Sequence, residues 1–309
     1  MSTRYSEIPD NYDEIKSILI TDYNEIEEAV FSASSCFFYD ACSIQFHSNV
    51  NQIIQEKISN YFISKGGILL ITKCVLMELG GLSHILQRKE VNYLKFLSSR
   101  NIKIILFDEK YIYDLLATEY QNSKVNEIFK FAVRAFNSKA SIIHATFDAI
   151  PELQPILHDV EIKNDDLCLR FFSEVLKNKE EGDNLGEELI GVCVFMLLYL
   201  TGEESGRFTV ISDDTSGSIK INKALQSIPV HITNKKALIL STPRFTQYMI
   251  KECFIDSITE IEEILSSCKI DEKYILALGK NDLFKGEYKH TAHEWAELLL
   301  MPNEVTIML

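Results

Sequence analysis

The chain has 309 residues, 46% of them hydrophobic and 10% aromatic, enough apolar material for one large domain, or a domain with an attached lobe, and too much for a disordered chain. Its 12 glycines and 6 prolines exclude a collagen-like or linker-dominated architecture. Against 31 Lys and Arg stand 45 Asp and Glu, a formal net charge of −14, so the surface as a whole repels phosphate and any nucleic-acid contact has to be local, metal-assisted or partner-assisted.

The opening stretch, MSTRYSEIPDNYDEI, carries acids where an export signal would carry positive charge and an apolar run, and it predicts a cytoplasmic protein with an N-terminal segment over residues 1–34. Five short apolar runs then end in polar residues: SCFFYD at 35–40, GILLIT at 67–72, IKIILF at 102–107, FTVIS at 208–212 and PVHIT at 229–233. Such runs read as buried parallel strands, and the helical spacing between them predicts an α/β fold, a parallel sheet flanked by helices. Val50, Ile53, Ile54, Ile58, Tyr61 and Phe62 fall at three- and four-residue intervals and define a crossover helix; another begins at Leu76–Leu79, is interrupted by Gly80 and Gly81, and resumes from Ser83. The strand pattern pauses over 111–181, where IYDLLATEY, NEIFKFAVRAF and DDLCLRFFSEVLK predict a helical insertion. LIGVCVFMLLYL (189–200) is too short for a membrane span and predicts a buried helix. RFTQYMIKECF, ITEIEEILSSC and HEWAELLLM predict a helical C-terminal lobe over 241–309, with VTIML as an apolar tail, which leaves a core at 35–240.

Acids sit where open α/β sheets bind ligands, beyond the carboxyl ends of strands. Asp40 ends the first run, and Asp213 with Asp214 ends the fourth. Glu78 follows the second run on a helix opening at the same edge, and Glu187 with Glu188 opens the apolar helix EELIGVCVFMLL after the loop GDNLG. Carboxylates converging from such distant segments would repel unless a cation sat among them, and hard oxygen donors favour Mg²⁺ or Mn²⁺ over zinc. One or two such ions would activate water for phosphodiester hydrolysis. Taken singly, Asp40 or Asp213 is better explained by capping a turn or helix, whereas Glu188 is as well explained by a helix dipole, and Ser212, Thr215 and Ser216 by turn formation.

The stretches FFYDACSI, ITKCVLMELG, NLGEELIGVCVFML and FTVISDDTSGSIKINKAL together resemble the PIN (PilT N-terminus) nuclease family over residues 35–240. That resemblance implies a PIN-like core and a metal-dependent endonuclease acting on RNA ahead of DNA, with Asp40, Glu78, Glu187 and Asp214 as catalytic metal ligands and Asp213 as the alternative to Asp214. Glu188, Asp183, Asp165 and Asp166 are alternatives for the third acid, because 109 residues separate Glu78 from Glu187 (187 − 78), a longer interval than compact family members have. The family context implies a bacterial toxin or phage-defence effector restrained by a partner. The extra helices point to a homo-oligomer or a regulatory protein partner, with no membrane contact. The alternative is a catalytically inactive PIN-like scaffold module that binds proteins.

Other chemistries lack their motifs. No C-x-x-C pair occurs among the 7 cysteines, and there is no H-E-x-x-H, P-loop or G-x-S-x-G frame. Lys73, Lys220 and Lys223 lie near the acids and are candidates for nucleic-acid backbone contacts.

Overall fold

The computed structural model describes residues 5–158, 166–200, 207–228, 237–301 and 303–308. The expected strand at 229–233 and the candidate ligand Asp165 lie outside them. In chain order, β1 (Leu19–Ile20), α1 (Tyr23–Ser32), β2 (Ser35–Tyr39), α2 (Ala41–Asn49), α3 (Gln52–Ser64), β3 (Gly67–Thr72), α4 (Lys73–Gly80), α5 (Arg88–Ser99) and β4 (Ile104–Phe107) form the first half of the core. There follow α6 (Tyr111–Ala117), α7 (Asn122–Phe136), α8 (Ile142–Ala149), α9 (Pro155–His158), α10 (Asp166–Lys177) and α11 (Leu185–Leu197). The chain then runs through β5 (Phe208–Ile211), α12 (Thr215–Gln226), β6 (Leu238–Leu240), α13 (Thr242–Lys251), α14 (Ile258–Ser267), β7 (Ile275–Gly279), β8 (Gly286–Tyr288), α15 (Ala292–Leu300) and β9 (Val305–Ile307).

Six strands make one parallel sheet in the order β1-β4-β3-β2-β5-β6. Four of the five expected runs are strands of it. The outer strand beyond β5 is Leu238–Leu240, within the KKALIL stretch. Central strands are apolar on both faces, as helices covering both sides require: every residue of β5, and all of β3 but Gly67, is buried. The chain leaves β2 toward β3 and β4, then crosses back to β5 and β6 on the other side. Strand order therefore reverses between β2 and β5, the topology at which open α/β sheets leave a crevice beyond the carboxyl ends of their strands.

The 189–200 run is a buried helix, as expected. All residues of α11 from Leu185 to Leu197 are buried, because α4 and α12 pack against it and the insertion helices α6, α7 and α8 cover the rest. A helix apolar all round needs such a jacket. The insertion is thus helical and packs on the core, leaving single side chains such as Phe131 exposed. At the end of α4, Gly81 takes φ 55°, a left-handed conformation that a β-carbon disfavours, and this stops the helix where the Gly-Gly pair suggested.

The C-terminal lobe departs from the helical expectation. Besides α13, α14 and α15 it holds a three-stranded antiparallel sheet, β8-β7-β9, in which the supposed tail VTIML supplies β9. The lobe is anchored to the core by Phe245 of α13, which stacks on Phe62 with centroids 5.8 Å apart and meets Tyr61 edge-on at 5.1 Å. Burial of such a ring contributes about 1.5–3 kcal/mol. All 7 cysteines are free thiols. Among the described residues, no helix is long and apolar enough to cross a membrane.

Candidate carboxylate site

Asp40 occupies the reversal point. Its backbone N–H donates to the Ile211 carbonyl at 3.0 Å, which extends the pairing of Tyr39 with Ile211 and ties the ends of β2 and β5 together. The side chain heads α2 yet caps no backbone beyond its own turn. Oδ2 accepts from the Cys42 thiol and from Ser212 Oγ at 3.3 Å, whereas Oδ1 is buried with no hydrogen-bond partner among the described residues. Asp40 is only 1% exposed, and burial raises its pKa in spite of these hydrogen bonds.

Glu78, in the last turn of α4, reaches the first turn of α11. A β-carbon added at Gly186 would stand 2.6 Å from Glu78 Oε2, so the close approach depends on glycine there. The carboxylate is held by Lys179, whose Nζ lies 2.9 Å from Oε1 and also donates to Asp183. Burial raises the Glu78 pKa, Lys179 partly offsets this, and the carboxyl titrates at about 7. Burial works against the Lys179 charge as well, but Glu78 and Asp183 outweigh it and hold the ammonium above the ordinary lysine range.

Glu187 lies within electrostatic reach of Asp40, Glu78 and Asp214. Its side chain packs over Gly217 in the first turn of α12, where an added β-carbon would stand 2.5 Å from Glu187 Cγ. It is 7% exposed, and burial followed by the charges of Asp40, Glu78 and Asp214 pushes its pKa up to about 9. Glu78 has Lys179 and Glu188 has Lys220 at 3.1 Å, but no cation among the described residues pairs with Glu187. The amino-terminal ends of α2, α11 and α12, at Asp40, Gly186 and Gly217, point their partial positive charge at the cluster and moderate the repulsion.

Of the two adjacent aspartates, Asp213 is consumed by the fold. Its Oδ1 accepts from the Thr242 N–H at 2.8 Å, and its Oδ2 accepts from Thr242 Oγ1 at 2.5 Å and Ser43 Oγ at 2.7 Å. Thr242 Oγ1 also meets His47 Nε2 at 3.1 Å, and His47 Nδ1 meets Tyr39, whose hydroxyl contacts that of Tyr93 at 3.0 Å. This buried chain of polar groups fixes α2 and α13 beneath the site, and burial lowers the His47 pKa to about 4, so the ring is neutral. Asp214 caps α12, with Oδ1 accepting from Gly217 N–H at 2.6 Å and Ser216 Oγ at 2.8 Å. Asp214 is half-buried, and its charge helps to raise the Glu187 pKa.

The alternatives for the third acid stand elsewhere. Asp183 is the second partner of Lys179, Glu188 is paired with Lys220, and Asp166 opens α10 as an exposed residue. Lys73 pairs with Asp108 at 3.0 Å and Lys220 with Glu188, so of the three candidate lysines Lys223 is the one on an open face of α12. Lys179 was not anticipated. KNKEEGD reads as a solvated charge run, and only the need of clustered acids for a counter-charge hints at a buried lysine there.

Comparison with known protein families, with characterised proteins and with solved structures gives no match. Among the described residues no three His, Cys, Asp or Glu side chains stand together in a metal-ligating group. The donor chemistry nevertheless fits a hard divalent cation: the oxygens are carboxylates, Asp40 Oδ1 lacks a partner, and Glu187 lacks a counter-charge. Closure around an ion would require side-chain rotation to bring these atoms together.

Proposed function

We propose that this crevice is the active site of a divalent-metal-dependent nuclease that hydrolyses phosphodiester bonds, RNA ahead of DNA, in line with the sequence's resemblance to PIN nucleases. The observation that carries the reading is that Asp40, Glu78 and Asp214, from three other segments, lie near enough to Glu187 at the point of strand reversal for their charges to raise its pKa, while Asp40 keeps a buried oxygen unpartnered among the described residues. Structural acids are ordinarily paired or hydrogen-bonded, as Asp213 is. Asp40, Glu187 and Asp214 would hold Mg²⁺ or Mn²⁺, with Glu78 beside them. Bound there, the ion would supply charge to polarise a phosphoryl oxygen and to acidify a water. The chain's own residues set the geometry: Ser212 orients Asp40, Ser216 and the α12 amide of Gly217 orient Asp214, and exposed Lys223 offers a phosphate contact that counters the overall charge of −14. A toxin or phage-defence role follows the same resemblance.

The test is cleavage of tRNA, mRNA and single-stranded DNA in parallel, with Mg²⁺ or Mn²⁺ titrated and Asp40→Asn as control. The proposal expects RNA cleavage that chelation abolishes and that Asp40→Asn lowers by about 100-fold or more. Cleavage equal in the two proteins would refute it. The second reading, an inactive PIN-like module that binds a protein partner, is favoured by one feature. Leu283 and Phe284, 89% and 82% exposed, form an apolar tip between β7 and β8. Under that reading the acids are inert in every nucleic-acid assay, while light scattering or co-purification reveals an oligomer or partner that Leu283→Ser with Phe284→Ser removes.

A further inference from the structure

Where α7 and α12 pack along α11, the helical jacket leaves a groove of about 480 Å³ open to the surface. Phe195 and Tyr199, 2% and 6% exposed, form its floor, with their rings 5.9 Å apart and 31° from parallel. Phe131 of α7 lines it as well and is 47% exposed, an aromatic surface that nothing among the described residues covers. The floor is fixed in advance: the Tyr199 N–H donates to the Met196 carbonyl at 2.9 Å, and the Tyr199 carbonyl accepts from the Tyr120 hydroxyl at 2.5 Å. Glu187 lies in the first turn of α11 and Tyr199 just beyond its other end, which at ~1.5 Å per residue sets the groove roughly 18 Å from the carboxylates. It is a separate site.

Two features narrow what the groove takes. Packing does not require it to stay open, because small residues, Ala135 and Ser227, line it at exposed positions where larger apolar side chains would fill it. Its charged residues are cationic on balance, in a chain of net charge −14. Lys124 is matched by Glu127 at 2.9 Å, but Arg134 has no carboxylate partner among the described residues. One Arg134 N–H donates to the Leu157 carbonyl, which leaves the rest of the guanidinium fork for an anion. Aromatic walls, a few convergent polar groups and a volume within about 300–1,000 Å³ are the features of small-molecule sites. We propose that this groove binds a small amphipathic anion, with a flat apolar body seated on Phe195, Tyr199 and Phe131 and a carboxylate, sulfonate or phosphate group held by Arg134. The inference is independent of the metal-dependent reading above and does not fall with it.

Fluorescence titration of the full chain with anilinonaphthalene sulfonate tests it, beside phenylnaphthylamine, which has the same rings and no charge; circular dichroism checks the fold of each variant. Wild type is expected to bind the sulfonate saturably at one site, about fivefold or more tighter than the neutral amine. Ala135→Trp, which fills the groove from an exposed position, is expected to raise the sulfonate Kd about tenfold or more, and Phe131→Ala, which removes an exposed lining ring, about fivefold. Arg134→Gln is expected to abolish the preference for the sulfonate while leaving the Kd of the neutral amine within about twofold. No saturable binding by wild type, sulfonate binding unchanged in folded Ala135→Trp or in Phe131→Ala, or a preference for the sulfonate that survives Arg134→Gln would each overturn the inference. So would loss of the dye site in Leu283→Ser with Phe284→Ser, which would place the dye on the apolar tip between β7 and β8. A chain that binds neither dye but holds a protein partner that Ala135→Trp releases would make the groove a protein-docking surface, and would overturn it too.

Discussion

Glu187→Gln should make the metal-free protein more stable at neutral pH, and the gain should grow with pH. In the folded chain, burial and the charges of Asp40, Glu78 and Asp214 hold the Glu187 pKa at about 9, against 4.5 for a free glutamate. A carboxyl shifted in this direction contributes stability that is complete below the unfolded value and is lost as pH rises toward the folded value, because only the unfolded chain releases the proton in between. At pH 7 the unfolded chain has gained about 2.5 pH units of ionisation, worth at most roughly 3.5 kcal/mol at ~1.4 kcal/mol per unit. The amide introduced by Glu187→Gln ionises in neither state, so it carries no like charge toward Asp40, Glu78 and Asp214. With an unfolding entropy of ~2.1 cal/mol/K per residue, about 3.5 kcal/mol corresponds to roughly 5 °C in Tm for a chain of this length.

Scanning calorimetry in chelator, from pH 5 to 8.5, measures the gap between variant and wild type. His47 works in the opposite sense: its folded pKa of about 4 gives stability that is complete above 6.5 and lost as pH falls toward 4. Both proteins carry His47, so its contribution cancels in the difference. The reasoning is refuted if the Tm gap is the same at pH 5 and pH 8, or if the variant is the less stable protein at pH 8.

Two further substitutions probe the frame around the site. Asp213→Ala removes the acceptor for Ser43 and for both donors of Thr242 and should cost about 3–5 kcal/mol, at ~1–2 kcal/mol for each hydrogen bond to a charged group; a fall in urea-unfolding free energy below about 1 kcal/mol would show that the fold does not depend on it. Gly217→Ala gains about 1 kcal/mol of helix propensity, but its β-carbon would land 2.5 Å from Glu187 Cγ and 2.7 Å from Glu187 Cβ, an atom fixed to the α11 backbone. The two helices must part, at about 1–3 kcal/mol or more, so the net effect on Tm should be a decrease; an unchanged or higher Tm would contradict the packing described.

The central sheet was legible because β2, β3, β4 and β5 are each a continuous apolar run bounded by polar residues, the pattern that burial on both faces imposes. The smaller sheet was not. GEY in β8 and VTI in β9 are three residues each, too short for any period to show, and Leu19–Ile20 in β1 is shorter still. Strand-end position was enough to select Asp40 and the Asp213-Asp214 pair, but not to divide labour within the pair. What commits Asp213 to the frame is Ser43, 170 residues away, and Thr242, 29 residues away, partners that no local pattern reveals. Lys179 was hidden for the same reason: its burial comes from Glu78 and Tyr5, which reach it from distant parts of the chain.

The cluster is a burden that this fold carries without structural return. Among the described residues, Asp40 leaves a buried oxygen unpartnered, at a cost of about 1–3 kcal/mol, and Glu187 faces three like charges with no cation paired to it. Apolar or amide side chains at these positions would relieve both costs, and the surrounding core is apolar enough to accept them. The frame instead invests in keeping the acids in place: Gly186 and Gly217 open room for Glu78 and Glu187, three helix amino-termini face them, and Lys179 is buried to hold one of them. Local rules broken together, at the reversal point of a parallel sheet, with supporting groups arranged around the breakage, are the physical mark of a site kept for chemistry or binding. Asp213 is the internal comparison, the acid next to Asp214 in the chain, with both its oxygens engaged by the frame. The contrast between that satisfied carboxylate and the unsatisfied Asp40 is what directs attention to the crevice.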